Sequence, residues 1–164
     1  MEQFQLERWE GKASAKLPNT TPDEAWSLFS TFSALHLWLP GIDTCRLIAG
    51  AEGQPGCVRY CASAPGDGSY FNWAKEELLD FDAAARSYSY KVTDNNMGFE
   101  RYAATLKVLP PEDEEGRGCE LEWSFESDPL QLWSKEAFIA YLQGGVEAMA
   151  KRLEEAAAAA AAAV

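Results

Sequence analysis

Positive charge is scarce in this sequence: 14 Lys and Arg stand against 26 Asp and Glu, a formal net charge of −12. No run of Lys and Arg makes a local basic patch. Such a surface repels phosphate backbones, so neither nucleic acid nor an anionic membrane surface is an expected partner. No apolar run reaches the ~18 residues of a membrane span. Met1–Arg8 lacks the basic-then-apolar order of a secretory signal, and a cytoplasmic location is the expectation. Histidine occurs once, as His36, and the four cysteines, Cys45, Cys57, Cys61 and Cys119, include no CxxC spacing. Cys57 and Cys61 fall on one predicted strand, roughly 13 Å apart at a rise of ~3.3 Å per residue. They can neither bridge each other nor share a small ion. No metal site is expected, and the thiols read as reduced and mostly buried.

Large apolar side chains, by contrast, are plentiful: six Trp, six Tyr and eight Phe within a chain that is 47% hydrophobic. A length of 164 residues suits one domain with a sizeable core. The spacing places that domain at 1–155, followed by an alanine tail at 156–164. Leu6–Leu17 alternates imperfectly and reads as a strand ending at Pro18. Thr21-Pro22-Asp23-Glu24 is a helix start, with Thr21 and Glu24 spaced as a capping box and Pro22 at the first helical position. A second short helical piece covers about Ser33–Leu37. Six strands follow: Thr44–Ala49, Cys57–Ala62, Tyr70–Asp80, Ser87–Thr93, Glu100–Leu109 and Cys119–Glu126. The separators, among them Pro65-Gly66-Asp67-Gly68-Ser69 and the acidic loop around Glu112–Gly116, are too short for parallel crossovers and predict an antiparallel meander.

The longest helical pattern runs from the capping residue Ser134 to about Ala160. Phe138, Leu142, Val146, Met149 and Leu153 form its apolar stripe. Gly144-Gly145 interrupts the pattern at a point where the helix can bend, and the alanines at its end either continue the helix, by their high propensity, or fray with nothing large to bury. The result is an α+β architecture: a seven-stranded curved antiparallel sheet wrapped around a long C-terminal helix, with two short helices between the first and second strands. Such a sheet does not close completely around one helix, which predicts an internal cavity for a small molecule.

Two charges break the pattern. Arg59 in Gly56-Cys57-Val58-Arg59-Tyr60-Cys61 and Glu76 in Phe71-Asn72-Trp73-Ala74-Lys75-Glu76 sit on strand faces that otherwise carry small or apolar residues. Burying them is costly unless they are paired or given a task. Patterning alone leaves ordinary solvated charges as the alternative.

The words Trp9-x-Gly11-Lys12, Leu17-Pro18-Asn19-Thr20, Leu35-His36, Gly56-Cys57-Val58-Arg59-Tyr60, Trp73-Ala74-Lys75-Glu76, Ser87-Tyr88-Ser89-Tyr90, Tyr102-x-Ala104-Thr105, Trp123-Ser124-Phe125 and Glu136-Ala137-Phe138 occur in order along the chain. In them the sequence resembles the helix-grip superfamily of START lipid-transfer domains, Bet v 1-like proteins and polyketide cyclases. Within that superfamily it is similar to the plant lachrymatory-factor synthase family. The resemblance implies a cofactor-free isomerase that rearranges a sulfenic acid to a thial S-oxide by proton transfer in an apolar cavity. It implies Arg59, Glu76 and Tyr102 as catalytic residues, with Glu76 moving the proton, Arg59 holding the developing oxygen charge and Tyr102 orienting the substrate. Tyr88, Tyr90, Trp123, Asn72 and His36 are the expected substrate contacts. A binding or transport protein for a small hydrophobic or sulfur-containing molecule, or a polyketide cyclase, would use the same residues. Ala62-Ser63-Ala64, the 65–69 loop, the acidic loop and the alanine tail depart from the family pattern, so the pocket entrance is expected to differ.

Overall fold

A computed structural model describes residues 7–63, 71–111 and 117–163. The element order is β1 (Trp9–Leu17), α1 (Pro22–Phe29), a 3₁₀ segment (Phe32–Leu37), β2 (Thr44–Ala49), β3 (Val58–Ser63), β4 (Asn72–Asp82), β5 (Ser87–Asn95), β6 (Ala103–Leu109), β7 (Cys119–Ser127) and α2 (Lys135–Ala162). The strands form one sheet in the order β1-β7-β6-β5-β4-β3-β2, and every neighbouring pair is antiparallel. This is the expected architecture, curved sheet around a long C-terminal helix. Leu6, the 65–69 loop and Glu112–Gly116 lie outside the described residues.

Local chemistry accounts for the elements. Thr21 and Glu24 close a reciprocal capping box, each side chain accepting the other's backbone N–H at 3.1 and 3.2 Å. Ser134 caps α2 by accepting from the Ala137 N–H at 3.1 Å. Along β7, Cys119, Leu121, Trp123, Phe125 and Ser127 are buried while the residues between them are not. Opposite them α2 buries Phe138, Leu142, Val146, Met149, Ala150, Leu153 and Ala157. Fully burying one such leucine contributes about 1.5–3 kcal/mol, so this stripe clamps helix to sheet. Gly118 shows how tightly the chain turns into β7: at φ +121° an added Cβ would sit 2.6 Å from the Leu17 carbonyl oxygen.

The short helical piece is present as a 3₁₀ segment at Phe32–Leu37, with a kink at Ala34, where φ is −117°. Gly144-Gly145 lies within α2, which is helical throughout. The helix continues through the alanine run to Ala162, and Ala157 is still buried against the core. Among the described residues no helix is long and apolar enough to cross a membrane.

Candidate functional site

Between sheet and α2 lies a cavity of about 470 Å³. Leu35, Leu39 and Ile42 supply one side of its wall, Ala74, Tyr90, Val92 and Trp123 the sheet side, and Phe138, Leu142, Gly144 and Gly145 the helix side. The glycine pair has its role here. An added Cβ on Gly145 would meet Leu39 at 3.3 Å and Trp123 at 3.5 Å, whereas one on Gly144 would meet nothing within 4 Å. Bare backbone at these positions leaves volume between the helix and the sheet.

Among the described lining residues, Glu76 alone carries a charge. Its partner is set by register, because Arg59 on β3 stands directly opposite Glu76 on β4. Arg59 Nε donates to Glu76 Oε1 at 2.8 Å. The guanidinium is completely enclosed. Its Nη1 donates to the Phe32 carbonyl at 2.8 Å and to the Tyr88 hydroxyl at 3.4 Å. Its plane lies 4.0 Å from the Phe32 ring centroid and 4.8 Å from that of Tyr90, a cation–π setting. Its Nη2 has no hydrogen-bond partner among the described residues. Burial is the largest single effect and disfavours the charge, but the Glu76 carboxylate, together with smaller contributions from Tyr88, Cys61 and Tyr90, outweighs it and holds Arg59 protonated, well above its ordinary value. Bonds to a protonated guanidinium are about twice as strong as neutral ones, so Arg59 fixes one carboxylate oxygen of Glu76 in the cavity wall.

Of the three residues expected to act together, Glu76 and Tyr102 line the cavity and Arg59 does not. Arg59 lies behind the wall because the 3₁₀ segment covers it: the Phe32 carbonyl accepts from Arg59 Nη1 and the Phe32 ring lies over the guanidinium. Arg59 thus contacts Glu76 rather than the cavity space. Tyr102 lies just ahead of β6 rather than within a strand from Glu100, since Arg101 takes a left-handed conformation at φ 50° and binds Asp128 at 2.9 Å. The Tyr102 ring stacks on Phe125, centroids 5.9 Å apart, and meets Phe138 edge-on. Burial, aided by the Glu76 charge, pushes its hydroxyl up, so it remains a neutral donor.

The other expected contacts divide. Tyr90, Trp123 and Asn72 line the cavity, Asn72 at its exposed side. Tyr88 is buried behind the wall, its hydroxyl turned to Arg59. His36 is half-buried with Nδ1 unpartnered and does not line the cavity; its neighbour Leu35 does. The 3₁₀ geometry turns Leu35 inward instead. Trp123 Nε1, by contrast, is a buried donor in the lining that has no hydrogen-bond partner of good geometry. Sequence reasoning missed Cys61, Met97, Phe99 and the two glycines as lining residues. Cys61 was readable, since it shares the inward face of β3 with Arg59. Met97 and Phe99 lie in a loop without periodicity.

A family model described as polyketide cyclase / dehydrase and lipid transport matches residues 9–158. Among solved structures, protein XoxI from Bacillus cereus is similar at 26% identity and a TM-score of 0.71, over 90% of this chain and 94% of that one. An uncharacterized protein from Bacillus thuringiensis is similar at 25% identity and a TM-score of 0.69, over 90% and 97%. Ginseng major latex-like protein 151 from Panax ginseng shares the fold at a TM-score of 0.69 over 90% and 96%, with 20% identity.

Proposed function

We propose, from the premise that the chain belongs to the polyketide cyclase / dehydrase and lipid transport family and has its Bet v 1-like helix-grip fold, that it binds a small, largely apolar molecule carrying a hydrogen-bond donor. The observation that carries this reading is one carboxylate, Glu76, pinned by a buried Arg59 and the one charge among the described residues of the cavity wall. A volume of about 470 Å³ suits a drug-sized ligand, since such pockets span roughly 300–1,000 Å³. The ligand's apolar body fills the space between Leu39, Phe138 and Leu142, and its donor meets Glu76. An acceptor on the ligand would give the Trp123 indole N–H, which otherwise reaches only the Tyr102 hydroxyl at poor geometry, a well-aligned partner.

Native mass spectrometry of protein purified from its own source tests the reading. The expected result is a stoichiometric small apolar companion that Glu76→Gln no longer retains. Retention unchanged by Glu76→Gln, or protein that neither carries such a molecule nor takes up an apolar fluorescent probe, would refute it.

A second reading is cofactor-free proton transfer on a sulfenic acid. It draws on Glu76 and Tyr102 sharing one cavity, which supplies a proton acceptor and a neutral donor. Arg59 then orients the Glu76 carboxylate and does not touch substrate. Trapping a thial S-oxide from a sulfenic acid released by an alliinase distinguishes turnover from binding. Product at the background rate would leave binding alone.

A further inference from the structure

Cys45 and Cys61 stand directly opposite each other on β2 and β3, with their sulfurs 3.3 Å apart. Both are free thiols. Opposed residues of an antiparallel pair have Cα atoms ~4.5 or ~5.5 Å apart, and both separations lie within the ~4.4–6.8 Å that a disulfide spans. Closure asks the sulfurs to approach by little more than an ångström, to ~2.05 Å. Cys61 lines the cavity, so a small solute meets it without opening the core. We propose that Cys45–Cys61 is a reversible redox modification site, a dithiol in the cavity wall that hydrogen peroxide entering the cavity oxidises to a disulfide. This holds whether or not the cavity also binds an apolar molecule.

The surroundings favour thiolate formation. Either sulfur can donate to the other, so once one proton leaves, the remaining S–H stabilises the thiolate. That bond lowers Cys45 to about 6 against the opposing effect of burial, with the Arg59 guanidinium adding attraction. The same bond, with burial, pushes Cys61 up. Transfer of the shared proton from Cys61 to Cys45 across the 3.3 Å contact exposes a Cys61 thiolate to the cavity, and its sulfur attacks one peroxide oxygen. The O–O bond breaks, Cys61 becomes a sulfenic acid, and the released hydroxide takes up the proton lost from the pair to leave as water. Cys45 then attacks the Cys61 sulfur, the S–O bond breaks, and the second hydroxide leaves as water with the Cys45 proton. In sum two thiols lose two electrons and two protons, and one peroxide becomes two waters. Because Cys61 Sγ also lies 3.9 Å from Glu76 Oε1, the bridge removes a donor from the carboxylate.

Folded protein treated with stoichiometric peroxide, alkylated in denaturant and mapped by mass spectrometry tests this. The expected product is two hydrogens lighter, keeps Cys57 and Cys119 as thiols, carries a 45–61 bridge, and regains four thiols with dithiothreitol. The pair should react at least about tenfold faster than Cys119, which burial pushes up to about 11. Four persisting thiols, a bridge elsewhere, or an equally fast Cys119 would overturn the proposal. In Cys45→Ala the reaction should halt at a Cys61 sulfenic acid captured by dimedone. An intramolecular bridge in that variant would also overturn it.

Discussion

The Arg59–Glu76 pair should reveal itself as a strongly coupled unit whose two halves are unequal. Arg59 is fully enclosed and Glu76 retains 12% side-chain exposure on the cavity side. Removing one partner of a buried ion pair costs about 3–5 kcal/mol, because the other charge is left uncompensated. Glu76→Leu strands a guanidinium that already has one unpartnered nitrogen, and its cost should lie near the top of that range. Arg59→Met leaves a carboxylate that cavity water can reach, which places its cost near the bottom, about 3 kcal/mol. Glu76→Gln keeps an amide oxygen for Arg59 Nε and should cost less than either, about 1–2 kcal/mol. The double variant Arg59→Met/Glu76→Leu restores an uncharged wall and should be more stable than Glu76→Leu alone. Urea unfolding at constant m-value measures all four. In a chain of this length each kcal/mol moves the melting temperature by about 2–4 °C, so the order is readable from thermal melts as well. Additivity of the two single changes within about 0.5 kcal/mol would mean that the charges are not coupled. A greater loss for Arg59→Met than for Glu76→Leu would refute the asymmetry.

The helix glycines separate cavity volume from helix stability. Gly145→Leu should drive its side chain between Leu39 and Trp123 and weaken binding of an apolar fluorescent probe by at least about tenfold, or 1.4 kcal/mol. Gly144→Ala, with open space around its Cβ, should stabilise the fold by about 0.5–1 kcal/mol and weaken probe binding less than Gly145→Leu does. Asp128 predicts an acid limb: hydrogen bonds from Arg101 first, then Arg8, hold its carboxyl below the ordinary value. A depressed carboxylate contributes stability that is present above the unfolded value of ~3.9 and lost as pH falls through the folded one. Asp128→Asn should therefore shed part of the loss seen between pH 4 and pH 2 in urea midpoints, and identical acid limbs in the two proteins would refute the assignment.

The strands and the long helix were legible because their signals are local and repeated. Alternation in Cys119–Ser127 and the i, i+4 stripe from Phe138 to Leu153 each test one face many times, and the capping box at Thr21 marks a boundary by its own chemistry. The start of β6 was placed too early, at Glu100 rather than Ala103, because the alternation around Tyr102 extends back past the point where Arg101 breaks the strand. What breaks it is a long-range tie from Arg101 to Asp128, and no local pattern carries that information.

The site divided along a related line. Alternation tells which residues of β3 and β4 face inward, and on that ground Arg59, Cys61, Ala74 and Glu76 belong together. Whether an inward residue is cavity wall or packed interior depends on what lies over it. Over Arg59 lies Phe32, from a segment 27 residues away in sequence, while over Glu76 lies open volume left by Gly144 and Gly145 on α2. One cross-strand pair is thus split between two environments. Arg59 is enclosed, which keeps it from a ligand but makes its hold on Glu76 strong, since the attraction acts away from water. The pair is divided by geometry: Arg59 sets the position of the carboxylate, and Glu76 presents it to the cavity.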